Sequence, residues 1–182
     1  MGFSLGYDPF SLYGKPEEYQ QFLDEMEKVL IAGKPSVKTY WDNGDQLLQL
    51  LRSGEVWAAS AWEQAGWKLH GENPDIDYLA PASGALAWVD TFAIPARSEN
   101  LEGAYAYINF MLRPENAAFF TNRETYGTAS KEAVNFLDPE IKANFTRGLP
   151  PEVLAKINWY PTVPAGIEEM EGRTLDKVKA AR

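Results

Sequence analysis

The stretch "GALAWVDTFAIP", Gly84 to Pro95, decides how the chain is read. It has the composition of a strand, yet Trp88 and Asp90 stand two residues apart within it. Side chains along a strand alternate between faces, so a strand here puts an indole and a carboxylate on the same side. An indole is costly to leave in water and a carboxylate is costly to bury. Glu55 to Trp62, "EVWAASAW", reads as a second strand, Glu63 to His70 as a short helix, and "IDYLAPA", Ile76 to Ala82, as a further strand. Upstream, Tyr19, Phe22, Leu23, Met26, Val29 and Leu30 recur at helical spacing over Pro16 to Ala32. Pro16 suits the first turn and Gly33 the C-terminal end. A second helix covers Asn43 to Ser53, with Leu47, Leu48, Leu50 and Leu51. Helix, strand, helix, strand, strand in order predicts an α/β fold, a small sheet with helices on its faces.

The remainder reads as helical. Asn100 suits an N-cap for a helix over Leu101 to Leu112, and Pro114 opens another to Arg123. "TYGTAS" is a turn. Shorter helices follow at Lys131 to Leu137, Pro139 to Phe145 and Pro151 to Lys156, and a last one at Pro164 to Arg182. The expected organisation is an α/β core over residues 1–95 and a mainly helical portion over 96–182.

The chain has 182 residues, and 26 acidic against 17 basic residues give a formal charge of −9. That balance opposes non-specific nucleic-acid binding, which needs a basic surface. It favours solubility or a cationic ligand. There is no cysteine, hence no disulfide, thiolate zinc site or thiol nucleophile. No run of 18 apolar residues occurs, and "MGFSLGYDPFS" lacks the basic and apolar regions of a signal peptide.

Catalytic patterns are absent. His70 is the single histidine and reads as a solvated residue beside a turn. No G-x-S-x-G, P-loop or G-x-G-x-x-G is found. "IEEMEG" reads as a solvated helix face rather than a metal site, and Asn144-Phe145-Thr146 is a formal glycosylation sequon. A glycoside hydrolase using Asp90 and Glu63 needs both carboxylates on one groove, a pairing the sequence does not establish. The chain is therefore expected not to be an enzyme and to need no cofactor or metal.

The unusual feature is aromatic. Several of the six tryptophans lie beside acids or turns: Trp41 before Asp42, Trp62 before Glu63, Trp88 near Asp90, Trp159 before Tyr160. Trp57 and Trp67 are expected in the core. Trp62 and Trp88 fall at or near strand ends, where open α/β sheets bind ligands. Aromatic faces attract ammonium groups by roughly 0.5–2 kcal/mol, and a carboxylate adds a charge-assisted hydrogen bond. Indole plus carboxylate is an amine receptor; the alternative is a core indole with Asp90 capping a local turn.

"GEVWAASAW", "WVDTFAIPARSENLEGAYAYINFMLRPENAA" and "TYGTAS" together resemble the periplasmic spermidine/putrescine-binding proteins of ABC importers, within family 1 of the bacterial extracellular solute-binding proteins. Order and spacing hold over about Gly54 to Ser130. The resemblance implies one lobe of a type II periplasmic-binding-protein fold, with a small mixed sheet flanked by helices and a helical C-terminal tail. It implies polyamine binding without catalysis, a permease partner, and a periplasmic location, or an extracellular membrane-anchored one in a Gram-positive host. By the same resemblance Trp62 and Trp88 wall the ligand, Asp90 binds an amine, Tyr126 makes contact from its turn, and Glu63 and Tyr160 lie close by. Two positions depart from the pattern: Ala65 stands where putrescine-type members carry an acid, and Tyr160 follows Trp159 where spermidine-type members have glutamine. Another small cationic or amino-acid-like ligand, or an interaction domain that binds no ligand, are the alternatives. Complete members are much longer, so the chain reads as a C-terminal portion holding half a site, with weak binding expected. A lobe without its partner exposes apolar surface, and a homodimer through that face is a further expectation.

Overall fold

The computed structural model describes residues Met1–Ala181. It contains eight α-helices: α1 (Pro16–Gly33), α2 (Gly44–Arg52), α3 (Glu63–Glu72), α4 (Leu101–Leu112), α5 (Pro114–Glu124), α6 (Pro139–Gly148), α7 (Pro151–Leu154) and α8 (Ile167–Ala180). Two strands, β1 (Leu86–Ala87) and β2 (Asn158–Trp159), form the only sheet among the described residues. The end of the predicted last helix at Arg182 lies outside the described residues.

The expectation of a small mixed sheet flanked by helices, a lobe of the type II binding-protein kind, is overturned. The chain is mainly helical. Glu55–Trp62 and Ile76–Ala82 form no strand, and Gly84–Pro95 contributes two residues. Helices close their hydrogen bonds locally, whereas a strand needs a partner for every backbone group. Among the described residues only one such pairing is satisfied. β1 and β2 run parallel, Leu86 opposite Asn158 and Ala87 opposite Trp159. The Asn158 N–H donates to the Ala85 carbonyl at 2.8 Å, and the Tyr160 N–H to that of Ala87 at 2.9 Å.

The chain divides into two compact units. The first comprises Met1–Tyr40, Pro81–Trp88 and Lys156–Arg182. Its core is the apolar face of α1, where Tyr19, Phe22, Leu23 and Met26 pack with Ile167 of α8. The Tyr19 hydroxyl donates to Glu171 at 2.5 Å. Lys34 ends this contact by donating from Nζ to the carbonyls of Val178 (2.9 Å), Lys179 (2.6 Å) and Ala181 at the close of α8. A cation placed there meets the unpaired carbonyls and the negative end of the helix dipole. Gly84, with φ +96°, lies two residues before β1; a Cβ there would meet the Lys156 carbonyl oxygen at 2.1 Å.

The second unit comprises Trp41–Ala80 and Val89–Ala155. The apolar faces of α2 and α3 meet through Leu47, Leu48, Ala65 and Leu69, ringed by Trp41, Leu51, Ala61 and Ile76. Asn100 caps α4 by accepting from the Gly103 N–H at 2.8 Å, as predicted, and Asn43, expected inside the helix, instead caps α2 by accepting from the Gln46 N–H at 2.9 Å. Trp67 is buried as expected, with its ring edge-on to Phe145 at 4.7 Å and to Tyr78 at 5.9 Å. Trp57 is not: it is 97% exposed. The loop after α3 is held down because Gly66 lets the Tyr78 backbone touch the helix. Arg147 grips the same loop with a two-pronged bond to Asp77, at 2.9 and 3.1 Å. Burial opposes ionisation of Asp77, but the Arg147 bonds and the Tyr78 N–H outweigh it and hold the carboxyl below its ordinary range. Asn144 is buried and accepts from Arg147 at 3.0 Å, so the formal sequon is closed in this fold.

Candidate functional site

In the second unit the segment before α3 is organised by two indoles. The Trp41 Nε1–H donates to the Ser60 carbonyl at 3.0 Å. Its ring stands edge-on to Trp62, centroids 5.0 Å apart at 75°. Trp62 occupies the N-cap position of α3 and is partly buried. That position puts Glu63 in the first helical turn, where the positive end of the helix dipole favours a carboxylate. Burial pushes the Glu63 carboxyl above the ordinary range, partly offset by a bond from its own backbone N–H.

Tyr126 arrives from the other side. α5 stops at Glu124, and Thr125 adopts a left-handed conformation, φ 60°, that turns the chain back. The Thr125 hydroxyl donates to the Gln64 carbonyl at 3.4 Å, tying the turn to the start of α3. Burial raises the Tyr126 phenol, and the negative charges of Glu63, Asp90 and Glu124 raise it further. Tyr78 is raised by burial and then by Glu63. Glu63, Asp90 and Tyr126 thus share one electrostatic neighbourhood, in which the carboxylates of Glu63, Asp90 and Glu124 each disfavour ionisation of the Tyr126 phenol.

Trp88 and Tyr160 belong to the first unit and Asp90 to the second. β1 ends at Ala87, so strand alternation does not govern Trp88 and Asp90. Trp88 is half exposed just beyond β1, and Asp90 is exposed. Tyr160 follows β2, with its ring 5.3 Å from Phe10; burial and then the Glu171 carboxylate raise its phenol. Sequence reasoning missed Tyr78, whose only signal was its place after a turn, and gave Trp41 no role. His70 is partly buried, with Nδ1 2.8 Å from the Ile76 carbonyl oxygen, rather than fully solvated. Among the described residues no group of three or more His, Cys, Asp or Glu side chains is placed to hold a metal ion, and no helix is long and apolar enough to cross a membrane.

Chemically, the second unit offers a partly buried carboxylate, an exposed carboxylate, two phenols and an indole pair. Such a set attracts cations that carry some apolar surface.

Compared with known proteins, residues 2–147 match a family described as bacterial extracellular solute-binding protein. The chain is 26% identical to the putrescine-binding periplasmic protein PotF of Escherichia coli, over 98% of this chain and 48% of that protein. It is 29% identical to the spermidine/putrescine-binding periplasmic protein of Escherichia coli, over 92% of this chain and 46% of that one. A putrescine/cadaverine-binding protein of Pseudomonas aeruginosa is 30% identical over 74% of this chain and 42% of its own length. The chain spans about half the length of the curated relatives it matches.

Proposed function

This chain belongs to the bacterial extracellular solute-binding protein family, and we propose that it supplies part of a binding site for a polyamine. The observation that carries this reading is the gathering of Glu63, Asp90 and Glu124 around Tyr126, beside the Trp41–Trp62 pair. A group flanked by several carboxylates attracts a cation. In this reading Glu63 and Asp90 take ammonium groups, Trp62 packs on the methylene chain, and Tyr126 donates or lends its ring face. Trp88 and Tyr160, in the first unit, are read as aromatic contacts for a polyamine on the family resemblance alone. The names of the relatives support a diamine or triamine: they bind putrescine, spermidine or cadaverine. Members of the family bind solutes and do not convert them, in keeping with the absence of catalytic patterns in the sequence. Within a longer protein the partner is an ABC permease and the location periplasmic or extracellular.

Isothermal titration with putrescine, cadaverine and spermidine tests this. Since the chain spans about half the length of the relatives it matches, a dissociation constant above about 1 µM is expected. Asp90→Asn and Glu63→Gln are each expected to weaken binding about tenfold, some 1.4 kcal/mol. The sign with pH follows from Glu63. Its carboxyl is raised in the free protein and must ionise to hold an ammonium, so affinity falls as pH drops through that raised value. Glu63→Gln flattens that slope. No heat with any of the three amines at millimolar concentration, or an unchanged affinity in Asp90→Asn, rejects the reading.

A further inference from the structure

Among the described residues Thr125 is the one non-glycine in a left-handed conformation, at φ 60° and ψ 12°. Helices often end on a residue of this conformation, but glycine or asparagine ordinarily fills the place. In a β-branched residue it is an outlier, disfavoured by roughly tenfold. Strain of this kind persists only where the surrounding structure imposes it, and it gathers at functional sites.

Two sets of contacts hold Thr125 in place. On the chain before it, α5 is fixed against the 3-10 helix Lys131–Phe136, with Ala117 and Ala118 packed in one cluster with Ala133. The Asn122 Nδ2 donates to the Phe136 carbonyl at 3.2 Å, and its Oδ1 accepts from the Asp138 N–H at 2.9 Å. The Thr125 N–H then closes α5 by donating to the Thr121 carbonyl at 2.8 Å. The second contact leaves the helix: the Thr125 hydroxyl donates to the Gln64 carbonyl at 3.4 Å. Gln64 follows Glu63 in the first turn of α3, and Tyr126 follows Thr125. The hydroxyl therefore links the turn that carries Tyr126 to the turn that carries Glu63.

We propose that Thr125 is a positioning residue of the binding site: its hydroxyl, held on the Gln64 carbonyl, fixes the left-handed turn that sets the Tyr126 phenol beside the Glu63 carboxylate. The consequence for affinity rests on the polyamine reading, whereas the placement of Tyr126 is measured without any ligand. Tether and strain are comparable in size. A neutral hydrogen bond favours the bonded form by roughly fivefold, against the roughly tenfold that the left-handed backbone costs a β-branched residue. With the hydroxyl removed and the strain kept, the turn relaxes and Tyr126 moves away from Glu63.

Tyrosine Cζ resonances followed by NMR through a pH titration read each phenol separately, and Tyr126→Phe identifies the one in question among the nine tyrosines. In the parent chain the Tyr126 phenol is expected above its ordinary range, raised by burial and then by Glu63, Asp90 and Glu124. Thr125→Val removes the hydroxyl and keeps the shape. Its Tyr126 phenol is expected to fall back towards the ordinary range, and its putrescine affinity by isothermal titration to weaken about threefold. Thr125→Ser keeps the hydroxyl and is expected to match the parent in both measurements. Thr125→Gly suits the left-handed backbone, so it folds even if Thr125→Val does not; lacking the tether, it is expected to show the same fall in the Tyr126 titration. Far-UV circular dichroism is the folding control for all three. A Tyr126 titration unchanged in the folded Val and Gly variants, an equal change in Thr125→Ser, or parent-like putrescine affinity in Thr125→Val overturns the proposal. A parent chain that binds no amine rejects the polyamine reading instead, and the phenol titration then decides the positioning role by itself.

Discussion

Replacing glycine by alanine inside a helix ordinarily stabilises it by up to about 1 kcal/mol. α3 carries two glycines five residues apart, and the structure assigns them opposite outcomes. At Gly71 the nearest atom to an added Cβ is the Glu140 Oε1 at 3.7 Å, an ordinary contact with a movable side chain. Gly71 lies one residue from the helix end, so Gly71→Ala is expected to stabilise by about half the full value, roughly 0.5 kcal/mol. At Gly66 the added Cβ meets the Tyr78 Cβ at 2.8 Å and the Tyr78 Cα and N at 3.0 Å. Two of those atoms are backbone and cannot swing aside. The loop is also pinned next door by the Arg147–Asp77 bonds. Overpacking of this kind costs about 2–3 kcal/mol, so after the helical gain Gly66→Ala is expected to destabilise by about 1–2 kcal/mol. The two variants differ by about 2 kcal/mol, which at a typical urea slope separates their midpoints by about 1 M. Urea unfolding followed by far-UV circular dichroism and tryptophan fluorescence measures this. A Gly66→Ala midpoint at or above that of the parent chain refutes the claim that the close approach of Tyr78 holds the loop on α3.

Two further outcomes follow from the same kind of contact. Asp77 is held below its ordinary pKa, so its pairing with Arg147 contributes stability that is present above the unfolded value and lost as pH falls through the folded one. Arg147→Met is expected to cost about 1 kcal/mol at pH 7, since the pair is partly exposed, and in a pH series of urea midpoints the part due to Asp77 is expected to disappear as pH falls through its depressed folded value, leaving what the Asn144 bond contributes. In the first unit, Gly84→Ala combines a left-handed backbone with a 2.1 Å collision against the Lys156 carbonyl. A loss of about 2–5 kcal/mol is expected, measured by thermal unfolding. A melting temperature within a degree of the parent contradicts it.

The helices were legible and the sheet was not. α4 was read at Leu101–Leu112, its observed bounds, because its cap Asn100 and its terminator Pro114 both act within a few residues. α1, α3 and α5 differ from their predicted ends by one or two residues. Strand composition at Val56–Trp62 and at Ile76–Leu79 carries no such local closure. A β-prone stretch becomes a strand only where another backbone lies alongside. Among the described residues only Leu86–Ala87 finds one, in residues 158–159, which no local pattern marked as a strand. The pairing of Trp62 with Glu63 was visible as adjacency in sequence. The approach of Tyr126 to Glu63 was not, since it depends on the Thr125 turn and its bond to Gln64. Trp57 misled for a related reason: its neighbours Val56, Ala58 and Ala59 look like core, but Ala58 and Ala59 are exposed with it and Val56 is only partly buried.

The core of the first unit joins α1 to α8, and the Tyr19–Glu171 bond spans 152 residues of chain. During synthesis α1 therefore emerges long before its cover. At about 5–20 residues per second, the ribosome needs roughly 8–30 seconds to reach α8. For that time Phe22, Leu23 and Met26 face whatever else is in the cell. The first unit is the one whose folding waits on the synthesis of α8, and its nascent α1 is the segment on which chaperone binding and aggregation would compete.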